Sequence, residues 1–394
     1  MKPTNQLPLL LITEHFAPGH GATAQLMTDL ACGLVARGIP VTVLTATAAD
    51  GIELNAVQVV RLCNTKAETA ILLKKLLRGV RFFCLALFWV FCHGGRGQKL
   101  LIASNPPFIG FLGPLLRLRG LRYVFIFQDL FPRSAVLSGL LAVNGFATTL
   151  LRVLMAWVCR CSDATVVLSE AMATALQHDC GPGLPLKVIH NWAVEWALPG
   201  DRAQNEFAKK LGLEDTFLVQ YSGNFGRLHD LHTLLQAAVL LRHSPLCFLF
   251  IGGGAREQEL RNFKEKQQLK NLLYLPYQIR SELKFSLGAC DIAVISLQPG
   301  VEASLAPCKF YGILASAKPV LLIAGFNCDL AQLVIKEDIG VVVEPGQFVE
   351  LAEILLALQQ NPARVAEMGQ RSVELYERCF GLERSLDNYA ALLR

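Results

Sequence analysis

The chain has 394 residues, which is too long for one ordinary hydrophobic core and suits two domains of about two hundred residues each. Hydrophobic residues make up 53% of the sequence and charged residues 18%, so the protein is more apolar than a typical soluble enzyme. The net charge of +5 is modest, and no long basic run is interleaved with aromatic residues. This composition excludes nucleic acid as the expected partner and favours an acidic substrate or an anionic membrane surface.

The cysteines and the start of the chain predict a cytoplasmic protein. The 12 cysteines contain no C-x-x-C pair, so we expect neither a zinc site nor a disulfide framework. The polar residues Met1 to Asn5 lead directly into Leu7 to Ile12, which is too short for the apolar region of a signal peptide. Reduced thiols in the cytosol are therefore expected.

The first half of the chain alternates between predicted strands and helices. A strand is expected at Leu9 to Ile12 and a helix at Ala24 to Ala36, which ends at Arg37-Gly38 with the basic last turn and following glycine that helix ends prefer. Strands that alternate with helices form a parallel sheet, so the pattern predicts a doubly wound domain. Its further strands are predicted at residues 41–45, 57–62, 100–103, 123–127, 164–168 and 187–189.

Residues 71–92 carry both basic and apolar side chains. Their uncharged run, Phe82 to Cys92, is shorter than the roughly 20 residues that a membrane-spanning helix needs. Two alternatives are open: a helix lying in the headgroup region of an anionic membrane, or a helix buried on most of its face within the domain. In the first alternative, four basic residues would face lipid: Lys74, Lys75, Arg78 and Arg81. A second apolar segment, Ala135 to Cys161, is interpreted mainly as core, with an exposed patch on the acceptor side as an alternative for part of it.

The second half contains three glycine or proline turns, each after an apolar strand, beyond a linker expected at residues 191–215. The turns are Tyr221 to Arg227, Gly252 to Gly254, and the loop Leu297 to Pro307. Glycines let backbone amides approach a bound anion, and the following helices add partial positive charge at their starts. Any one turn is equally consistent with a plain strand-to-helix connection. Three in succession predict a second parallel sheet that holds a nucleotide sugar at the carboxyl ends of its strands.

Six sequence blocks together resemble one enzyme family. Each block is weak alone, but their order and spacing are specific and run through nearly the whole chain. The sequence is similar to the retaining glycosyltransferases of the GT-B fold, in the large family-four group, and within it to the colanic-acid-type enzymes of surface polysaccharide assembly. The blocks are Glu14 to Gly21, Ser104 to Pro107, Gln128 to Pro132, His190 to Trp192, Gly223 to Gly226, and Ala306 to Tyr311 leading to Lys318-Pro319-Val320.

The resemblance implies an α/β protein with two Rossmann-like, doubly wound domains that face each other across a cleft. Residues 1–192 would bind the acceptor, residues 193–376 would bind a nucleoside-diphosphate sugar, and a C-terminal helix within residues 377–394 would cross back to the first domain. The alternative to acceptor binding is simple exposure for His20 and a structural role in its loop for Asn105. The implied donor contacts are Gly21, Gly223, Asn224, Gly226, Gly253, Ser304 and Leu305, and the implied acceptor contacts are His20 and Asn105.

The sequence departs from the family pattern at the phosphate and ribose contacts. The family's usual arginine in the glycine turn and the lysine that follows it are replaced by Asn224 and His229. The usual glutamate that contacts the donor ribose is replaced by Gly312, and the other glutamate of that pair aligns near Ser304. The ribose contact and the usual catalytic pair are therefore not carried over to this chain.

Four residues are candidates for catalysis. No Asp-x-Asp sequence is present to hold a divalent metal, so we expect no metal site, and cations and amides must neutralise the leaving diphosphate. Arg227 and Lys309 are the cationic candidates, with plain solvent exposure as the alternative. Glu302, the only carboxylate in its loop, could bind the donor sugar or stabilise oxocarbenium charge, or could simply be solvated. Asp129 could accept the acceptor's hydroxyl proton or cap the next helix.

The sequence thus predicts a hexosyltransferase. It would move a sugar with retention from a nucleoside-diphosphate donor to a lipid-linked or membrane-proximal glycan, without cofactor or metal, at the inner face of the plasma membrane. Residues 71–92 are the expected membrane contact. Two alternatives are kept: a sugar-nucleotide epimerase on the same fold, and a non-catalytic subunit that anchors a true transferase at the membrane.

Overall fold

A computed structural model describes residues 7–19, 21–48, 54, 56–65, 72–194, 196–197, 204–278, 280–302 and 307–394. The chain divides into two compact units. The first comprises the chain up to Asn191 together with Leu382–Arg394, and the second comprises Trp192–Ala303 and Pro307–Gly381, apart from a few residues outside the described ranges. Each unit is an α/β domain built on one parallel sheet, as the sequence predicts.

The described part of the first unit contains a seven-stranded parallel sheet. Its strands have the order β3-β2-β1-β4-β5-β6-β7. All seven strands predicted for this half are present, with shifted ends. They are β1 (Leu9–Ile12), β2 (Val41–Thr47), β3 (Gln58–Thr65), β4 (Lys99–Ala103), β5 (Arg122–Ile126), β6 (Ala164–Val167) and β7 (Leu186–Val188).

Helices connect these strands, and the last helix of the chain joins them. The helix α15 packs on α1: Leu386 lies against Gly33, and Arg37 forms ion pairs of 2.6 Å with Glu383 and 2.8 Å with Asp387. The prediction that the C-terminal helix packs on the first domain is confirmed. The helices of this unit are α1 (Ala22–Ala36), α2 (Leu72–His93), α3 (Leu112–Arg117), α4 (Arg133–Leu137), α5 (Phe146–Cys161), α6 (Glu170–Cys180) and α15 (Leu382–Leu393).

The second apolar segment is part core and part exposed surface. Residues 135–161 belong to two helices, α4 and α5, and α5 buries only one side, which includes Met155 and Val158. Its opposite side is exposed, with 85% of Phe146 and 62% of Val153 open to solvent. The segment thus has both the buried part and the exposed patch that the sequence allowed, and apolar composition alone could not show which residues belong to each.

The described part of the second unit contains a six-stranded parallel sheet of order β10-β9-β8-β11-β12-β13. Hydrophobic clusters cover both of its faces. Three of its strands, β10, β12 and β13, were not predicted. The six strands are β8 (Phe217–Asn224), β9 (Leu246–Gly253), β10 (Leu272–Leu275), β11 (Ile292–Ser296), β12 (Val320–Ile323) and β13 (Gly340–Val343).

The helices of the second unit follow its strands as crossovers. One of them, α7, lies within the expected linker at residues 191–215, part of which falls outside the described residues. Asp291 braces the start of the sheet, because its Oδ2 accepts a hydrogen bond of 2.6 Å from the Leu218 N–H. The helices are α7 (Glu206–Leu211), α8 (His232–Leu240), α9 (Glu257–Gln267), α10 (Arg280–Ala289), α11 (Cys308–Ala315), α12 (Asp329–Lys336), α13 (Phe348–Gln359) and α14 (Pro362–Cys379).

Strand order indicates where each sheet would hold a ligand. The order reverses between β1 and β4 in the first sheet and between β8 and β11 in the second. In open parallel sheets, ligands bind at the carboxyl ends of strands beside such a reversal. Asn105 and Asp129 follow β4 and β5, whereas Gly226 and Glu302 follow β8 and β11, so the predicted residues lie at the expected edges.

Candidate active site

The first two glycine turns of the second unit form one packed structure. Strand β8 continues through Gly223 and Asn224, which pair with Gly252 and Gly253 at the end of β9. A Cβ added to Gly252 would overlap the carbonyl oxygen of Gly223, and one added to Gly254 would overlap Asn224 Oδ1. The prediction that the strand ends before the turn is therefore wrong: pairing with β9 extends it. Close approach of two backbones is one reason for these glycines.

We expect Gly252→Ala to destabilise the second unit by roughly 2–4 kcal/mol, because its φ of +140° disfavours alanine and the added methyl group meets backbone atoms. Urea-induced unfolding measures the change. Gly381→Ala is the control, since an added Cβ there has no neighbour within 4 Å. A loss below about 1 kcal/mol at Gly252 would contradict the packing described here.

Lys309 places its ammonium group beside the paired glycine turns. Its Nζ lies 3.8 Å from the centroid of the Tyr221 ring, and an added Cβ on Gly223 would lie 3.6 Å from Nζ. The Nζ atom is covered by protein and has no hydrogen-bond partner among the described residues, although the rest of the side chain is partly exposed. Burial lowers the pKa of Lys309 to about 7. Plain solvent exposure, the alternative for Lys309, is therefore wrong for its charged end.

His229 lies next to this lysine in the position where the family pattern has a cation. Its Nδ1 donates a hydrogen bond of 2.7 Å to the Ser296 carbonyl, which links the loop after β8 to the end of β11. Burial and the charge of Lys309 lower the pKa of His229 to about 4. The imidazole is consequently neutral at pH 7, and its Nε2 can only accept a hydrogen bond. His229 does not supply the positive charge of the lysine that it replaces.

Arg256 stabilises the same loop and was not found from the sequence. Its Nη1 donates a 2.6 Å hydrogen bond to the His229 carbonyl, and its guanidinium makes a two-bond contact with Glu259 at 2.6 and 2.7 Å. The Glu259 hydrogen bonds raise the pKa of Arg256 and lower that of Glu259. The guanidinium of Arg256 is already hydrogen-bonded to Glu259 and to the His229 carbonyl. Arg256 is therefore a positioning residue for the loop that contains His229.

The other predicted residues of this unit have separate positions. Arg227 is exposed, and the part of the chain that the structure describes gives its side chain no partner. Glu302 directs Oε1 toward the N–H of Gly325 after β12, at 3.4 Å. Ser304 and Leu305 lie outside the described residues. The structure therefore brings Gly223, Asn224, Gly226, Gly253 and Lys309 together, while the catalytic roles of Arg227 and Glu302 stay predictions.

The predicted residues of the first unit lie at the ends of neighbouring strands. Gly21 precedes the first residue of α1, and the Asn105 carbonyl accepts a 3.0 Å hydrogen bond from the Glu14 N–H. The alternative that Asp129 caps a helix is wrong, because α4 begins at Arg133 after Pro132. His20 lies outside the described residues.

The Asp129 carboxyl combines two properties. Its residue is exposed by surface area, yet the surrounding protein desolvates it enough to raise its pKa above the ordinary value. A carboxylate with a raised pKa is a better proton acceptor, which suits the role predicted for Asp129 without testing it.

A buried ion pair at the end of β1 changes the interpretation of α2. Arg78 Nε lies 2.7 Å from Glu14 Oε1, and both side chains are largely buried, at 16% and 8% exposure. The prediction that Arg78 faces lipid is therefore wrong. Lys74, Lys75 and Arg81 are exposed, as that prediction requires.

No three His, Cys, Asp or Glu side chains gather as a metal site within the described ranges. The expectation of metal-independent chemistry stays a prediction.

Comparison with protein families matches both halves of the chain. Residues 21–192 match the family "Glycosyl transferase 4-like domain", and residues 203–374 match "Glycosyl transferases group 1". The chain belongs to the family-four, group 1 glycosyltransferases. Its two matched regions follow one another in the order expected of such enzymes, and the family resemblance drawn from the sequence blocks is confirmed.

Individual relatives agree with this assignment. WbjE of Pseudomonas aeruginosa, described as a glycosyltransferase, is 29% identical over 262 residues, which are 66% of each chain. WcaI of Escherichia coli K12, described as a colanic acid biosynthesis glycosyl transferase, is 30% identical over 141 residues, 36% of this chain and 34% of its own. The matches thus cover less than two thirds of these relatives' lengths.

A solved structure of another protein has a fold similar to that of this chain. HepE of Anabaena, in complex with UDP-glucose, has a TM-score of 0.72 at 17% identity and is covered to 99%, with 98% of this chain. The predicted GT-B fold is confirmed by this similarity.

Proposed function

We propose that this chain is a retaining, metal-independent glycosyltransferase that takes a hexose from a nucleoside-diphosphate sugar. The observation that carries the proposal is Lys309, whose covered ammonium group has no anionic partner among the described residues and lies beside Gly223. A cation held without a partner in a desolvated position costs stability, so a site that keeps one is suited to bind an anion. The diphosphate of the donor is the anion that family membership provides.

The donor proposed first is a UDP-sugar. HepE, which shares the fold, is described in complex with UDP-glucose. The glycine turns around Gly223 and Gly253 allow close approach of a diphosphate, and Lys309 would replace the missing cations at positions 224 and 229. In this chain the cation comes from α11 and not from the glycine turn itself. Its contact with the diphosphate would therefore differ from the usual family pattern.

In the proposed reaction, the bond between the sugar C1 and the diphosphate oxygen breaks. The electron pair leaves with the diphosphate, whose charge Lys309 stabilises through a hydrogen bond from Nζ, with Arg227 as a second candidate. The acceptor hydroxyl attacks C1 from the face that the diphosphate leaves, and its proton passes to a base for which Asp129 is our candidate. Glu302 is assigned to the sugar hydroxyls or to the developing positive charge.

The proposed acceptor is a hydroxyl of a lipid-linked or membrane-proximal glycan at the cytoplasmic face of the plasma membrane. The basic and apolar side chains that α2 exposes support this location, and the similarity to WcaI supports a role in surface polysaccharide assembly.

A donor panel tests the proposal. UDP, GDP, ADP and their glucose and galactose conjugates are mixed with the purified chain, and the melting temperature and nucleotide release are recorded. A donor at a hundred times its Kd should stabilise the folded state by about 2.7 kcal/mol. We expect one nucleotide series to stabilise the chain, with slow hydrolysis of its sugar conjugate to nucleoside diphosphate and free sugar.

Excess EDTA should leave this hydrolysis within about twofold of its original rate if amides and cations replace a metal. A tenfold loss that Mg²⁺ restores would overturn the metal-independent part alone. Binding without hydrolysis or transfer would indicate the non-catalytic subunit, and release of an isomerised sugar would indicate the epimerase. Stabilisation by no nucleotide would sink the proposal.

A further inference from the structure

The helix α2 exposes a continuous apolar stripe. Its residues Leu73, Leu77, Val80, Phe88 and Phe91 are 45% to 68% exposed. At 100° per residue they lie within one third of the helix circumference, on the side opposite the buried Phe82, Ala86 and Val90. A helix with one apolar face packed on its domain and a second apolar face in solvent has an unpartnered surface.

The helix α5 exposes a second stripe with the same spacing. Phe146, Leu150, Val153 and Trp157 follow the i, i+4, i+7, i+11 pattern and are 85%, 45%, 62% and 43% exposed. The short helix α3 packs against both α2 and α5. Beyond its last turn, Leu118 is 86% exposed. Its neighbour Arg117 donates a 2.6 Å hydrogen bond to the Cys161 carbonyl at the end of α5, and Arg119 lies over Phe91 of α2, so Leu118 lies between the ends of the two helices.

Charge around these stripes has one sign. Between residues 71 and 169 the sequence contains twelve lysines and arginines but only two acidic residues, Asp129 and Asp163. Several of the arginines are paired within the domain, but Lys74 and Arg81 are exposed on α2 next to its apolar stripe, and Lys75 is exposed on the other side of the helix. Arg119 lies over the Phe91 ring, with its guanidinium carbon 4.1 Å from the centroid. Apolar stripes bordered by cations match an anionic lipid surface.

The topology argues against α2 as a membrane-spanning helix. Residues 73–93 are long and apolar enough to span a bilayer by length and composition. However, α2 connects β3 to β4, and both strands belong to the same sheet. A spanning helix would leave these strands on opposite sides of the membrane. The buried residues of α2 and its ion pair from Arg78 to Glu14 also fix it to the domain.

We propose that the exposed faces of α2 and α5, with Leu118 between them, form one three-helix surface that lies on an anionic bilayer. The apolar side chains would enter the boundary between headgroups and acyl chains, and the exposed cations would contact anionic headgroups. The sequence indicated α2 alone as the membrane contact, and α5 is the new component. The proposal does not depend on the transferase activity, since it concerns binding without donor or acceptor.

Cosedimentation with vesicles tests the surface. The full chain is mixed with vesicles of phosphatidylcholine alone or with 30% phosphatidylglycerol, roughly the anionic range in which polybasic surfaces bind. We expect binding to the anionic vesicles and at least tenfold weaker binding to the neutral ones, because each basic residue near the surface strengthens binding about fivefold. Raising the salt concentration should weaken the anionic binding through screening.

Matched substitutions separate α5 from α2. Val153→Asp in α5 and Phe88→Asp in α2 should each reduce anionic-vesicle binding about tenfold or more, since a carboxylate would enter the apolar boundary. Val349→Asp in α13 is the control, because Val349 is 54% exposed on the other unit. Circular dichroism and melting curves verify that each variant is folded.

Failure of the wild-type chain to bind anionic vesicles would overturn the proposal. So would wild-type binding by Val153→Asp, which would assign the contact to α2 alone. If sedimentation velocity shows a dimer that both aspartate variants dissociate, while vesicle binding is absent, the surface joins two copies and the lipid proposal fails. If Val349→Asp loses binding equally, added negative charge and not position is responsible, and the three-helix surface is likewise rejected.

Discussion

Lys309→Met should reduce kcat/KM for sugar transfer or donor hydrolysis by roughly 10²–10³-fold while it raises the melting temperature. The loss is expected because methionine keeps the length of the side chain but removes the cation beside Gly223 that would stabilise the leaving diphosphate. The gain in stability is expected because the ammonium group is covered and, apart from the Tyr221 ring, has neither a hydrogen-bond partner nor a counter-ion among the described residues. Steady-state kinetics and thermal unfolding on the same preparation measure the two opposite effects.

Lys318→Met is the matched control, because that lysine is satisfied. Its Nζ donates hydrogen bonds of 2.9 Å to the Gly288 carbonyl and 2.7 Å to the Cys290 carbonyl. Removing it should cost about 1–3 kcal/mol of stability and leave kcat/KM of the folded protein within a few fold. If Lys309→Met also lowers stability and keeps its activity, Lys309 is a structural residue and the proposed diphosphate site is wrong.

Much of the fold could be predicted because its signals are local. Apolar runs bounded by polar residues located the strands of the first sheet, and the alternation of strands and helices gave parallel sheets. The ends of β8 could not be predicted in this way. Its extension to Asn224 depends on pairing with Gly252 and Gly253, nearly thirty residues later in the sequence. Such non-local pairing has no signature within a single turn.

The candidate site was predictable in its residue types but not in its contacts. A lysine at the start of α11 could be identified from the turn and helix around it. The sequence could not show that Nζ of Lys309 lies over the ring of Tyr221 in strand β8, or that this Nζ atom is covered by protein. The bracing role of Arg256 likewise depends on the His229 carbonyl that the fold brings near it, and the neutral state of His229 depends on burial and on the nearby charge of Lys309. Residue spacing therefore located the lysine, whereas tertiary packing determines whether its amine is protonated.

Binding of UDP should take up nearly one proton at pH 8, and its affinity should fall as the pH rises above 7. Burial gives the free Lys309 a pKa of about 7, so at pH 8 it is mostly neutral. A bound diphosphate favours the ammonium form and raises this pKa, so binding is strongest below pH 7 and weakens up to tenfold per pH unit until the raised pKa is reached. Calorimetric titrations in two buffers with different ionisation enthalpies count the protons taken up.

The Lys309→Met variant separates the titration of Lys309 from the titration of other groups. Binding of UDP to this variant at pH 8 should take up almost no proton. The second ionisation of a phosphate lies near pH 6, and His229 titrates near pH 4, so neither changes much between pH 7 and 9. Folding has the opposite dependence: since the pKa of Lys309 is lower in the folded than in the unfolded chain, its burial costs more stability as the pH falls from about 10.5 to 7. The stability gained by Lys309→Met should therefore be larger at pH 7 than at pH 9. Equal proton uptake by both proteins would remove Lys309 from the diphosphate site, whatever the activity of the chain.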